Sequence, residues 1–287
     1  MDIQWYPGHM TKAKRMMQEN IKLVDVIIEL IDARVPLSSR NPDMANIANN
    51  KPRIIVFNKI DLADRNNTEK LVKWYEEQGV SVVLVNSKNG KGINQVISKA
   101  YELCKEKIER NKKRGLINKP VRAMVAGIPN VGKSTFINKL VGKASAKTGN
   151  KPGVTKGKQW IKLRKDMELL DTPGILWPKF EDKQVGINLA LIGSIKDDIL
   201  NIDELALILI SYLKENYNNL LVNRYNLINI DDFEPIQILE KIAENRNLIK
   251  TGNQLDLTKA SVILMDEFRN GILGKISLET VGENDLT

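Results

Sequence analysis

The chain has 287 residues, of which 42% are apolar and 28% charged, enough to bury a sizeable core and to fold as two domains. Lys and Arg number 44 against 35 Asp and Glu, and the net charge of +9 suits an anionic partner. Cys104 is the lone cysteine, which excludes an intrachain disulfide; the N-terminus Met1-Asp2-Ile3-Gln4-Trp5 lacks the features of a secretion signal, and no apolar run reaches membrane-spanning length. A cytoplasmic protein with no membrane partner is expected. The charge is also uneven. Residues 1–177 hold 33 basic and 17 acidic side chains, whereas residues 178–287 hold 11 and 18, so a polyanion should meet the N-terminal part first.

In chain order, Trp5-Tyr6-Pro7-Gly8-His9-Met10 is a short aromatic segment leading into a helix with a basic start from Thr11. His9 is the only histidine, and a lone histidine reads as structural or catalytic. Val24 to Ile31 is apolar and β-branched enough for a buried strand, which Asp32-Ala33-Arg34-Val35-Pro36 leaves as a loop. Asn41 to Ala48 reads as a short helix capped by Asn41, with Pro42 at its first position.

Arg53 to Phe57 is a second buried strand, and it runs into Asn58-Lys59-Ile60-Asp61. This N-K-x-D stands at a strand's C-terminal edge, where open α/β sheets bind ligands. The Asp61 carboxylate can accept both the N1–H and the N2 amine of guanine, a pair that adenine does not offer. Asn58 can reach the base N7 and tie the loop to its neighbours, and the Lys59 stem can cover the ring. A helix from Thr68 to Gln78, opened by Thr68 and followed by Gly79, precedes a strand from Val80 to Val85. Asn86-Ser87-Lys88 then stands where GTPases carry S-A-K, with Ser87 as the brace of the base-reading loop. Gly92 to Arg114 reads as one long amphipathic helix. Its basic end Lys112-Lys113-Arg114 suits the helix dipole and could equally touch RNA.

The apolar run Val121 to Ala126 leads into Gly127-Ile128-Pro129-Asn130-Val131-Gly132-Lys133-Ser134-Thr135, followed by a helical stretch. This is G-x-x-x-x-G-K-[ST] in a strand–loop–helix context, the phosphate-binding loop of nucleotide hydrolases. Backbone N–H groups from Asn130 through Val131, Gly132, Lys133 and Ser134 to Thr135 can cradle phosphates, with Lys133 on the β- and γ-phosphates and the Ser134 hydroxyl on Mg²⁺. Lys143 to Lys165 has eight basic and no acidic residues; within it Thr155 is a candidate Mg²⁺ ligand, with Thr148 competing. Two strands, Gln159 to Leu163 and Glu168 to Leu170, lead to the D-x-x-G of Asp171-Thr172-Pro173-Gly174. There Asp171 would hold Mg²⁺ through water, and Gly174 would offer its N–H to the γ-phosphate. Ile175 follows, where Ras-like GTPases place the Gln that orients the attacking water, so intrinsic turnover should be slow. From Val185 the pattern is helical: 185–195, 203–215, 235–244 and 258–269. The expected organisation is a nucleotide domain over 1–177 and an all-α domain over 178–287, with a polar, frayed tail after Lys275.

The base-reading loop and its brace precede the phosphate loop, Thr155 and the D-x-x-G. This order fits one site if the chain is circularly permuted. With W-x-P-G-H-M at the start and helices at the end, the whole chain resembles the circularly permuted GTPases, and within them the ribosome biogenesis GTPase A family, the YlqF type of bacteria. The resemblance implies an α/β P-loop GTPase domain with permuted motif order and a C-terminal all-α domain that contacts RNA or the ribosome. It further implies GTP hydrolysis to GDP in late maturation of the large ribosomal subunit, with low intrinsic activity raised by that particle. The partners would be the subunit precursor, through rRNA and ribosomal proteins, and the protein would be a monomer. It assigns His9 to the attacking water, with a structural His9 as the alternative, while Asn130 matches the P-loop asparagine that in K⁺-dependent GTPases helps to hold a K⁺ ion near the phosphates. The D-x-x-G segment continues through Leu176-Trp177-Pro178-Lys179, so loss of the γ-phosphate should bias the α-domain directly. An RNA-binding protein with a relic site is a different class of answer, against which intact Lys133, Ser134, Asp171 and Gly174 argue. A GTPase acting on the small subunit or on tRNA is nearer.

Overall fold

The structure is a computed structural model that describes residues 8–48, 50–116, 119–142, 159–164, 166–172, 174–177, 180 and 182–280. It divides into two compact units, one spanning Gln4–Lys179 and holding Glu279, the other spanning Phe180–Leu278. The first unit opens with α1 (Gly8–Asn20), β1 (Val26–Asp32), α2 (Asp43–Ala48) and β2 (Arg53–Asn58), followed by α3 (Arg65–Glu77) and β3 (Ser81–Leu84). Next come α4 (Ile93–Leu103), α5 (Lys105–Lys113), β4 (Val121–Gly127), α6 (Lys133–Val141), β5 (Gln159–Arg164) and β6 (Met167–Asp171).

The six strands form one sheet in the order β3-β2-β1-β4-β6-β5, parallel except for β5. All seven side chains of β1 are buried, as a parallel strand covered on both faces requires. One apolar cluster joins Met17 and Ile21 near the end of α1 to Met44 and Ile47 of α2, Met124 and Ala126 of β4, Leu170 of β6 and Ile175. A second joins Ile31, Ile55 and Phe57 of the sheet to Leu71 and Tyr75 of α3. The chain works outward from β1 to β3, then returns to lay β4 on the other side of β1. That reversal is the topological switch point at which open sheets bind ligands. Four strand ends meet there: Asp32 stands opposite Asn58, Leu30 opposite Gly127, and Val125 opposite Asp171.

Three local expectations are corrected. α3 begins at Arg65 because Asp64 caps it, accepting the Asn67 amide at 2.9 Å, while Thr68 turns its hydroxyl back onto the Asp64 carbonyl at 2.6 Å. The long helix from Gly92 breaks at Cys104: α4 buries Ile93, Val96, Ile97 and Ala100, whereas α5 buries nothing. Directly after Lys275 the chain is packed, with Ile276, Ser277 and Leu278 buried and the Ser277 carbonyl accepting from the hydroxyls of Tyr212 and Tyr217; the rest of the expected tail, 281–287, lies outside the described residues.

The second unit holds α7 (Lys183–Leu191), α8 (Ile202–Asn216), α9 (Asn218–Tyr225), α10 (Pro235–Asn245), the two-residue strands β7 (Ile249–Lys250) and β8 (Gln254–Leu255), and α11 (Leu257–Asn270). Leu205, Leu209 and Leu213 of α8 are buried, as are Ile238 and Ile242 of α10 and Leu264 and Phe268 of α11. The small hairpin and α9 are additions to the helices read from the sequence. Arg269 of α11 donates to the carbonyls of Ala190 and Leu191, satisfying the last turn of α7. Among the described residues no helix is long and apolar enough to cross a membrane.

Candidate nucleotide site

The loop from Gly127 to Gly132 owes its shape to backbone that few side chains tolerate. Gly127 has φ 151°, Asn130 φ 60° and Gly132 φ 92°. A Cβ on Gly132 would come within 2.5 Å of Asn58 Nδ2, and one on Gly127 within 2.5 Å of the Leu30 carbonyl. Glycine is therefore required at both positions by geometry as well as by conformation. Lys133 opens α6 and is buried, its ammonium donating to the carbonyls of Gly127 and Ile128 at 3.1 and 2.8 Å. Burial lowers its pKa to about 8, with Asp171 pulling the other way. Gly174 lies against the same loop: a Cβ there would meet Lys133 Nζ at 2.7 Å and Pro129 N at 2.8 Å. Thr172 anchors that approach by donating its hydroxyl to the Val125 carbonyl at 2.6 Å.

The loop after β2 grips the loop after β4 with two consecutive residues. Asn58 donates Nδ2 to the Val131 carbonyl at 2.8 Å, while its Oδ1 accepts the Ser87 hydroxyl at 2.7 Å and the Ser87 amide at 3.2 Å. Lys59, at φ 61°, donates its ammonium to the Asn130 carbonyl at 2.6 Å. Ser87 thus holds the Asn58 side chain in place. Asn86 spends its side-chain oxygen on the amides of Lys88 and Asn89, which shapes the brace loop itself. Asp61 is half-buried at the turn after Lys59. Ser134 and Thr135 sit in the first turn of α6, half-buried and exposed.

Ile175 is buried in the first apolar cluster, and Asn41 donates Nδ2 to its carbonyl at 3.3 Å. The backbone of His9 lies in α1, the helix whose Met17 enters that cluster; the His9 side chain lies outside the described residues. Thr148 and Thr155 also lie outside the described residues. Among the described residues no cluster of three or more His, Cys, Asp or Glu side chains could hold a metal unaided.

The loops that the motif order separates therefore stand at one sheet edge. The family model described as RsgA GTPase matches residues 11–181, and that described as 50S ribosome-binding GTPase matches residues 122–249. Ribosome biogenesis GTPase A of Bacillus cereus is 46% identical over 283 residues, covering 99% of this chain and 95% of its own. The chain belongs to the ribosome biogenesis GTPase A family. Mitochondrial ribosome-associated GTPase 1 of Mus musculus is 35% identical over 298 residues, covering 96% and 90%. The crystal structure of GNP-bound YlqF from T. maritima matches with a TM-score of 0.64 at 27% identity, over 94% of this chain and 98% of that one. Like other members of this family, the chain is a GTPase with circularly permuted motifs. The 50S ribosome-binding GTPase match begins one residue into β4 because, in this GTPase, the base-reading loop and its brace precede that strand.

Residues that the motif reading passed over also build this edge of the GTPase. Asp32, fully buried, binds Arg34 through both carboxylate oxygens and lies 2.9 Å from Lys59 Nζ. Burial alone would raise the Asp32 pKa, but Arg34 and Lys59 hold it well below the usual carboxylate range. Burial pulls the Lys59 ammonium below its own usual range, against the pull of Asp32. The signal available was the position of Asp32 and Arg34 at the C-terminal edge of a buried strand.

Proposed function

We propose that this GTPase acts in late maturation of the large ribosomal subunit in the cytoplasm, with slow intrinsic turnover raised by the particle. The observation that supports this reading most is the pair of bonds from Asn58 and Lys59 to the Val131 and Asn130 carbonyls, which hold a guanine-type loop against a phosphate loop. The description 50S ribosome-binding GTPase supports the choice of subunit, and the basic charge supports an RNA partner. α5 buries no side chain and ends in Arg110, Lys112 and Lys113, an arrangement that suits phosphate contacts.

In this reading Asp61 accepts from guanine N1–H and the N2 amine, Asn58 meets N7, and the Lys59 stem covers the ring; Asn86, Ser87 and Lys88 complete the base side. Amides from Asn130 to Thr135 and the Lys133 ammonium hold the phosphates, and Gly174 N–H meets the γ-phosphate. Ser134 and Asp171 offer the hard oxygen donors that suit Mg²⁺, with phosphate oxygens, water and Thr155 completing the set. Mg²⁺ would neutralise charge on the β- and γ-phosphates. Asn130 is the proposed K⁺ contact. With Ile175 in the core, His9 is the group proposed to orient the attacking water.

The test is GTP turnover with purified large and small subunits, in K⁺ and in Na⁺. Acceleration by the large subunit alone is expected, and equal acceleration by both would overturn the assignment. His9→Ala should bind GTP normally and lose the stimulation; unchanged stimulated turnover removes His9 from the reaction, and equal rates in K⁺ and Na⁺ dismiss the ion.

A further inference from the structure

Asp32 has no part in the roles above, yet it is one of the most heavily bonded side chains of the nucleotide domain. Its Oδ1 accepts the Arg34 amide at 3.1 Å and Arg34 Nε at 2.9 Å, and its Oδ2 accepts Arg34 Nη2 at 2.8 Å. Lys59 Nζ reaches the same Oδ2 at 2.9 Å and the Asn130 carbonyl at 2.6 Å. A three-link path therefore runs from a buried guanidinium through a buried carboxylate to the ammonium that clasps the phosphate loop.

The chemistry of the two cations explains the arrangement. Arg presents a rigid planar fork, so its two-pronged hold fixes the carboxylate plane; Arg34 is itself 1% exposed and has no freedom to swing away. A lysine ammonium is a compact charge on four flexible carbons. Without a fixed acceptor it could settle on any nearby oxygen, including a phosphate. Asp32 supplies that acceptor, and the Asn130 carbonyl is the second partner of the same ammonium. Lys59 at φ 61° and Asn130 at φ 60° are both held in left-handed backbone, so the clasp joins two turns that have little play. Asp61 stands two residues beyond Lys59 and inherits its placement.

We propose that Asp32, oriented by Arg34, is a positioning residue that fixes the Asn58–Asp61 loop against the phosphate loop through Lys59 and so sets the preference for guanine. The inference rests on reading that loop as the base reader.

GDP and IDP separate the two ideas, because hypoxanthine lacks the N2 amine that Asp61 would accept. Dissociation constants for both are measured by calorimetry on the full chain. In the native protein GDP should bind much the tighter. Asp32→Asn should weaken GDP by about tenfold or more and IDP by about twofold, so that the ratio collapses. A general loss of folded protein would lower the active fraction and leave the ratio where it was. Lys59→Met keeps the stem and should reproduce the collapse. In that background Asp32→Asn should add nothing, since the residue acts through Lys59. Arg34→Lys, which keeps the charge but not the fork, should give an intermediate ratio, and with Lys59→Met it carries the test if Asp32→Asn does not fold. A high native ratio left unchanged by these variants overturns this inference alone. A native ratio near one overturns the base-reading assignment, and this inference with it.

Discussion

Asn58 and Val131 stand 73 positions apart in the chain, and a bond of 2.8 Å from Asn58 Nδ2 to the Val131 carbonyl joins them. The contact needs only that β2 and β4 flank β1 with their C-terminal ends level, which the sheet order supplies whichever strand comes first in the sequence. Permutation is tolerated because the site is a property of the sheet edge. Asn58→Ala would leave the Ser87 hydroxyl and the Val131 carbonyl without this partner. We expect about 10- to 100-fold weaker binding of GDP and GTP alike, read by nucleotide titration. A loss confined to GTP would place Asn58 with the γ-phosphate instead.

Ile175 carries a second prediction. Its side chain lies among Met17, Ile21, Leu170 and Met124, so a glutamine there would have to bury its amide in an apolar cluster. Ile175→Gln is expected to lower stability by about 2 kcal/mol and to leave intrinsic GTP turnover no faster. A melting curve and a turnover assay on the same preparation check both. An accelerated variant would show that this position can face the phosphates after all.

How much of this was legible depended on whether the constraint was local. Gly127 and Gly132 stand at fixed spacing because the loop has no room for a Cβ, and β1 and β2 are apolar because both their faces are covered; both constraints show in the sequence. Asp32 and Arg34 looked like the polar start of a surface turn, since nothing nearby in sequence reveals that Lys59 folds over them. The break at Cys104 was hidden because Ile108 prolongs the apolar spacing even though α5 leaves the core. Asp64 and Thr68 are both good caps, and only the folded turn shows that Thr68 bonds back to the Asp64 carbonyl. Ile276 to Leu278 is too short a run to show any period, so its burial had no signature.

Glu29 and Asp32 share β1 and predict opposite responses to pH. Burial raises the Glu29 pKa above its ordinary 4.5, with Arg53 and Arg40 opposing. Between 4.5 and that raised value the folded protein holds the extra proton, so this carboxyl costs stability as pH rises through the window. Glu29→Gln should therefore raise stability by about 1 kcal/mol at neutral pH, a gain that disappears below the ordinary value. Asp32 is depressed below its ordinary 3.8, so its contribution is complete above that pH and is lost as pH falls towards the folded value. Asp32→Asn should cost about 3 kcal/mol at neutral pH and progressively less in acid. Melting temperatures of the two variants against pH should thus converge on the native curve from opposite sides. Parallel curves would mean that neither carboxyl titrates differently on folding.

Glu279 is tied down where the sequence predicts a frayed tail. Its carboxylate accepts the Leu37 amide at 2.6 Å, the Ser38 amide at 2.9 Å and the Ser38 hydroxyl, in the loop that carries Arg34 and Asn41. Two successive amides and a hydroxyl aimed at one anion form a small nest, and bonds to an ionised acceptor are the stronger kind. Leu37 is partly open to water, which limits what is lost when the carboxylate is removed. Glu279→Ala is expected to lower stability by about 1 kcal/mol, or about 3 °C in melting temperature, and Glu279→Gln by less because one acceptor oxygen remains. Thermal unfolding of both variants checks the order. If alanine and glutamine cost the same, the charge of Glu279 is what Ser38 requires, and the neutral amide oxygen cannot replace it.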